Sequence, residues 1–96
     1  MNRYTAPVRD MKFALYDVIG ADKLYAKLGI EHAQRDLLDA VMEEAAKFTQ
    51  TVLAPLNGVG DEHGCVHDKA TGAVTTPPGF KEAYAQFVEG GWAGIT

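Results

Sequence analysis

The stretch Leu37-Leu38-Asp39-Ala40-Val41-Met42-Glu43-Glu44-Ala45-Ala46-Lys47-Phe48-Thr49-Gln50-Thr51-Val52-Leu53 decides the fold class. Leu37, Val41, Ala45, Phe48 and Val52 advance by four, four, three and four, and Leu38, Met42 and Leu53 widen that stripe. This is the spacing of one apolar helix face, so a helix is predicted over residues 31–54. Arg35, Asp36, Asp39, Glu43, Glu44 and Lys47 fall on the opposite side and read as a solvated face. Arg35 with Asp39, and Glu43 with Lys47, have the spacing of stabilising opposite-charge pairs within a helix. Pro55 lacks an N–H and disfavours helical geometry at Ala54, so the helix is expected to stop there.

Outward from that helix the punctuation is clear. Residues 1–7 are polar, end in Pro7 and read as an extended lead-in. Asp10 can cap a helix over 11–19, with Met11, Ala14, Leu15, Val18 and Ile19 on one buried face and Gly20 as its stop. A shorter helix is predicted from Asp22 to Leu28, closed by Gly29. On the other side, eight of the fourteen Gly and Pro residues crowd into 55–79. That segment reads as one long loop, with a small hairpin around Lys69–Gly72 between Cys65-Val66 and Val74-Thr75. Thr76 and Pro77 then read as the cap and first position of a last helix. Phe80, Ala83, Tyr84, Phe87 and Val88 supply its apolar face, and Gly90-Gly91 its end. The expected class is all-α: three or four helices with one long Gly/Pro-rich loop, part of a larger helical domain.

Composition excludes several roles. The 96 residues are 47% hydrophobic and carry a formal charge of −4, which argues against gripping nucleic acid or an anionic membrane. No apolar run approaches the ~20 residues of a membrane span. The start lacks the apolar core of a secretory signal. Cys65 is the only cysteine, so no internal disulfide forms and a reducing cytoplasm is the expected compartment.

The chemistry-bearing residues are few. His63, Cys65 and His67, among Asp61, Glu62 and Asp68, are competent zinc ligands, but no second cysteine or fourth ligand completes a site. They read as a solvated turn. Cys65 as a nucleophile would need an activating base, and His67 or His63 is nearby in sequence, but no oxyanion-hole loop or nucleophile elbow accompanies it. The carboxylates of Asp36, Asp39, Glu43 and Glu44 lack the Glu-x-x-His pattern of a di-metal bundle. Gly58-Val59-Gly60 and Gly90-Gly91 miss both phosphate-loop patterns and read as turn and helix-stop glycines. His32 receives no role. Trp92 and the Phe80/Tyr84/Phe87 stripe either line a pocket or pack a core, and core packing is the simpler reading. The chain stops at Gly94-Ile95-Thr96, directly after its only tryptophan, and such an ending looks like a cut through a larger fold.

Several blocks together resemble the acyl-CoA dehydrogenase family. Tyr4-Thr5-Ala6-Pro7-Val8-Arg9-Asp10-Met11-Lys12-Phe13, followed by Tyr16-Asp17-Val18-Ile19, is similar to the N-terminal extension of a bacterial subgroup. Glu43–Phe48, Leu53–Asn57, Gly60-Asp61 and Gly64-Cys65 look like that family's first long helix and the loop after it. Thr76–Tyr84 and Gly90–Ile95 resemble the next helix. The resemblance implies an N-terminal extension at 1–30 and the incomplete start of a helical domain at 31–96. It implies a longer parent enzyme that holds FAD and oxidises acyl-CoA to the 2,3-enoyl thioester, its glutamate taking the α-proton while a β-hydride passes to the flavin. It gives no residue here a catalytic, cofactor-binding or metal role. Expected partners are the remainder of that enzyme, the acyl-CoA substrate and further copies in a homo-oligomer. The alternative is a free-standing helical module that self-associates. A third reading is a small metal-binding protein using His63, Cys65 and His67.

Overall fold

A computed structural model describes residues 3–95; Met1, Asn2 and Thr96 lie outside the described residues. It is mostly helical, in line with the expected all-α class, with a single pair of very short strands. The chain divides into two compact units between Gln50 and Thr51.

The first unit opens with α1 (Val8–Lys12), which runs on as a π-helical turn over Phe13–Val18. The helix starts earlier than the Asp10 cap implied. Pro7 precedes it, and Asp10 sits in the first turn, where a carboxylate complements the helix dipole. The expected buried face fails as well. In the wider i→i+5 register the 3.6-residue template no longer applies, so Met11, Val18 and Ile19 are exposed and Tyr16 is buried instead. Gly20 takes a left-handed conformation, and α2 (Ala21–Lys27) follows, within one residue of expectation. The helix α3 spans Arg35–Phe48.

The helix does not stop at Pro55. A second π turn, Thr49–Leu53, leads into α4 (Ala54–His63), with Pro55 in its first turn. Pro55 therefore falls where the register changes, and there its missing N–H and its ring interrupt neither ladder. The predicted loop over 55–79 is correspondingly shorter and begins after His63. Its hairpin is present: β1 (Val66–His67) pairs antiparallel with β2 (Val74–Thr75), Val66 opposite Thr75. The turn is closed by the Gly72 N–H on the Asp68 carbonyl oxygen at 2.7 Å and the Ala70 N–H on Asp68 Oδ1 at 2.9 Å. The last helix, α5 (Phe80–Glu89), begins later than a Thr76 cap requires. Gly79, at φ 89°, turns the chain into it. A 3₁₀ turn at Trp92–Gly94 follows.

Few side chains are buried. Among the described residues they are Tyr16, Ala21 and Ala46 in the first unit and Pro77 and Ala83 in the second. The chain exposes 7727 Å². Two separate compact bodies, each of half its 10.4 kDa, would together expose about 6,500 Å². Even on that generous standard the surface is in excess, and Leu37 and Val41 of the α3 stripe are among the large apolar side chains left exposed.

Candidate functional site

The second unit carries an apolar groove of about 510 Å³, lined by Leu53, Leu56, Asn57, Phe80, Ala83, Tyr84 and Phe87. Leu53, Leu56 and Asn57 share one side of the helical run through α4, being three and four residues apart. Phe80, Ala83, Tyr84 and Phe87 do the same on α5. Two glycines let these walls meet. A Cβ on Gly60 would lie 2.8 Å from Phe80 Cζ, and one on Gly79 would lie 2.8 Å from Leu56 Cδ2. Gly58 and Gly60 are thus interior residues of α4 rather than turn glycines. Ala83 is buried beneath the groove, whereas Tyr84 is 68% exposed at its rim with its ring stacked on Phe87 at 6.4 Å between centroids.

No lining residue carries a charge, and Asn57 and the Tyr84 hydroxyl are the polar groups. Such a surface suits an aliphatic chain. The aromatic stripe expected to pack a core therefore faces an open groove at Phe80, Tyr84 and Phe87. Trp92 is not among the lining residues and lies against Gly90.

The first unit gathers the polar residues. The Tyr16 hydroxyl donates to Asp39 Oδ1 at 2.6 Å, with the Arg35 carbonyl oxygen a weaker acceptor at 3.3 Å. The Arg35 guanidinium stands 4.2 Å from the Tyr16 ring centroid, a cation–π geometry, and reaches Asp22 Oδ2 at 4.0 Å. Lys12 Nζ pairs with Glu43 Oε1 at 2.9 Å, and that hydrogen bond raises the Lys12 ammonium above its ordinary value. The Ala6 N–H donates to Gln50 Oε1 at 2.8 Å. The stripe read as a solvated face is thus engaged at Asp39 and Glu43 by the N-terminal residues. Neither partner, Tyr16 nor Lys12, is reachable by any local spacing rule.

Burial pushes the Tyr16 phenol up to about 12, helped by the hydrogen bond to Asp39 and by that carboxylate's charge, while Arg35 pulls the other way. Folding therefore favours the neutral phenol. The contribution is fully present below pH 10, the ordinary tyrosine value, and is lost as pH rises toward 12. We expect stability to fall by about 1–2 kcal/mol across that window in the parent chain, and Tyr16→Phe to remove that part of the fall. Urea midpoints at pH 9, 10 and 11 test this, and equal slopes in both proteins would contradict it.

The remaining candidates are dispersed. Cys65 and His67 are exposed on the hairpin, and His63 ends α4. Among the described residues no three His, Cys, Asp or Glu side chains are grouped to hold a metal ion. No helix among them is long and apolar enough to cross a membrane.

No protein-family model matches the chain. Curated relatives do. The 3-methylmercaptopropionyl-CoA dehydrogenase of Ruegeria pomeroyi is 34% identical over 97% of this chain. The broad-specificity linear acyl-CoA dehydrogenase FadE5 of Mycobacterium tuberculosis is 28% identical over 96%, and the butyryl-CoA dehydrogenase of Syntrophomonas wolfei is 33% identical over 92%. The chain spans 16%, 15% and 15% of these relatives' own lengths. Three acyl-CoA dehydrogenases thus align along nearly all of this chain, which over that span is similar to members of the acyl-CoA dehydrogenase family.

Proposed function

We propose that this chain is the N-terminal helical portion of a flavin-dependent enzyme that oxidises acyl-CoA to 2,3-enoyl-CoA, and that the groove between α4 and α5 forms part of the wall of its acyl pocket. The observation that carries the reading is the alignment of acyl-CoA dehydrogenases along 92–97% of the chain. The uncharged groove supports it, because an alkyl chain gains about 0.8 kcal/mol for each methylene taken out of water. In this reading the side chains of Leu56, Phe80 and Phe87 hold the alkyl part and keep water from it.

In this proposal no residue of this chain is assigned to the flavin. Gly58 and Gly60 lie inside α4, and Gly90 and Gly91 close α5, so neither pair offers a phosphate-binding loop. FAD and the proton-abstracting glutamate therefore belong, in this proposal, to parts of the enzyme beyond these residues. The 96 residues alone are inactive and supply structure. The exposed apolar stripes support a role packed against further protein, whether the same enzyme's other domains or a second copy. The lone cysteine supports placing the enzyme in the reducing cytoplasm.

A chimera tests this. The matched residues of the Ruegeria relative are replaced by this chain, and reduction of a dye acceptor by acyl-CoA is followed. We expect the chimera to turn over and the 96-residue chain not to. Within the chimera, Leu56→Trp fills the groove and should lower kcat/KM for long acyl chains by ~10-fold or more relative to short ones. Turnover by the chain alone, or an inactive but folded, FAD-loaded chimera, would sink the proposal.

A further inference from the structure

We propose that residues 6–18 form a strap laid antiparallel along α3 and latched by the Tyr16 hydroxyl, which lifts as one piece while α3 stays helical. The register carries the geometry. As the strap advances from Ala6 to Lys12 to Tyr16, its partners on α3 and the turn after it recede from Gln50 to Glu43 to Asp39. Every one of these ties is polar. Of the strap's large apolar side chains Met11, Phe13 and Val18 are exposed, Val8 and Leu15 are half-buried, and Tyr16 is its only buried residue. A segment with so little apolar burial opens locally at low cost.

The ties are unequal. The Lys12–Glu43 pair is solvent-exposed, with Glu43 61% accessible, and such pairs contribute little. The Ala6–Gln50 bond joins two neutral groups. Tyr16 combines a short bond to a carboxylate, a buried ring and the Arg35 guanidinium on its face, and Asp22 from α2 completes the charges around it. Within the π turn over Phe13–Val18 Tyr16 is the one buried residue, with Phe13, Ala14, Asp17 and Val18 exposed. Meanwhile α3 keeps its own fourteen-residue ladder and continues without a break into the next helical turn. Lifting the strap frees Asp39, Glu43 and the Gln50 amide along one side of that run.

Amide hydrogen exchange on the 96-residue chain tests the latch. Tyr16→Phe and Asp39→Ala should each speed exchange across residues 8–18 by ~10-fold. Asp39→Asn keeps an acceptor oxygen and should change it less than ~3-fold, as should Lys12→Met, which removes only the exposed ion pair. Exchange across Arg35–Phe48 should move less than ~3-fold in all four. The proposal is overturned if strap and α3 lose protection together, if Lys12→Met matches Asp39→Ala, or if residues 8–18 show no protection in the parent chain.

Discussion

Replacing Gly79 with alanine should cost the second unit about 2 kcal/mol, the largest loss expected from any single methyl group in this chain. Two effects add. At φ 89° a Cβ is strained, by about 1–2 kcal/mol for a left-handed residue. The new carbon would also meet Leu56 Cδ2 at 2.8 Å, so the end of that side chain must shift at a smaller further cost. Gly58→Ala is the matched control. Nothing lies within 4 Å of its Cβ and it sits inside α4, so helix propensity should stabilise the chain by about 0.5–1 kcal/mol. Trp92, the sole tryptophan, reports unfolding of this unit directly. Equal midpoints for the two variants in urea would refute the account of both positions.

The second large effect is a reversal of sign at Gly60. Alone, Gly60→Ala gains helix propensity of up to about 1 kcal/mol but drives a Cβ to 2.8 Å from the Phe80 ring. Overpacking of that kind costs about 1–3 kcal/mol, so the net change should be a loss of about 1 kcal/mol. In a Phe80→Ala background the ring is gone and only the propensity gain remains, so the same substitution should stabilise. The coupling, measured by a double-mutant cycle in urea, should approach 2 kcal/mol. An additive cycle would mean that Gly60 is not there to seat Phe80.

What the sequence made legible was whatever depends on near neighbours. The apolar stripe from Leu37 to Phe48 lies in a helix, Gly20 and Gly90 close helices, and the hairpin forms where Lys69–Gly72 indicated. Pro55 misled because a proline is judged against an α ladder, and the π turn before it offers another register. The same irregularity hid Tyr16, which no 3.6-residue template buries. Asp39 and Glu43 were legible as charged but not as occupied, since their partners are 23 and 31 residues away. Half of the groove was visible in the Phe80/Tyr84/Phe87 spacing. The other half, Leu53 and Leu56, lay across a break in helix that the chain does not make.

The π turn at Phe13–Val18 also sets how this end of the molecule tolerates changes of length. A π turn is an α turn carrying a surplus residue, and each residue of an α-helix subtends about 100°. Deleting one residue there would remove that surplus and let the turn relax to ordinary α geometry, so Lys12 and Ala6 would stay nearly in phase with Glu43 and Gln50. A residue lost from the regular ladder of α3 has no such reserve and would turn everything beyond it by about that angle. Related sequences that share the docking should therefore differ in length at Phe13–Val18 before they do within Arg35–Phe48.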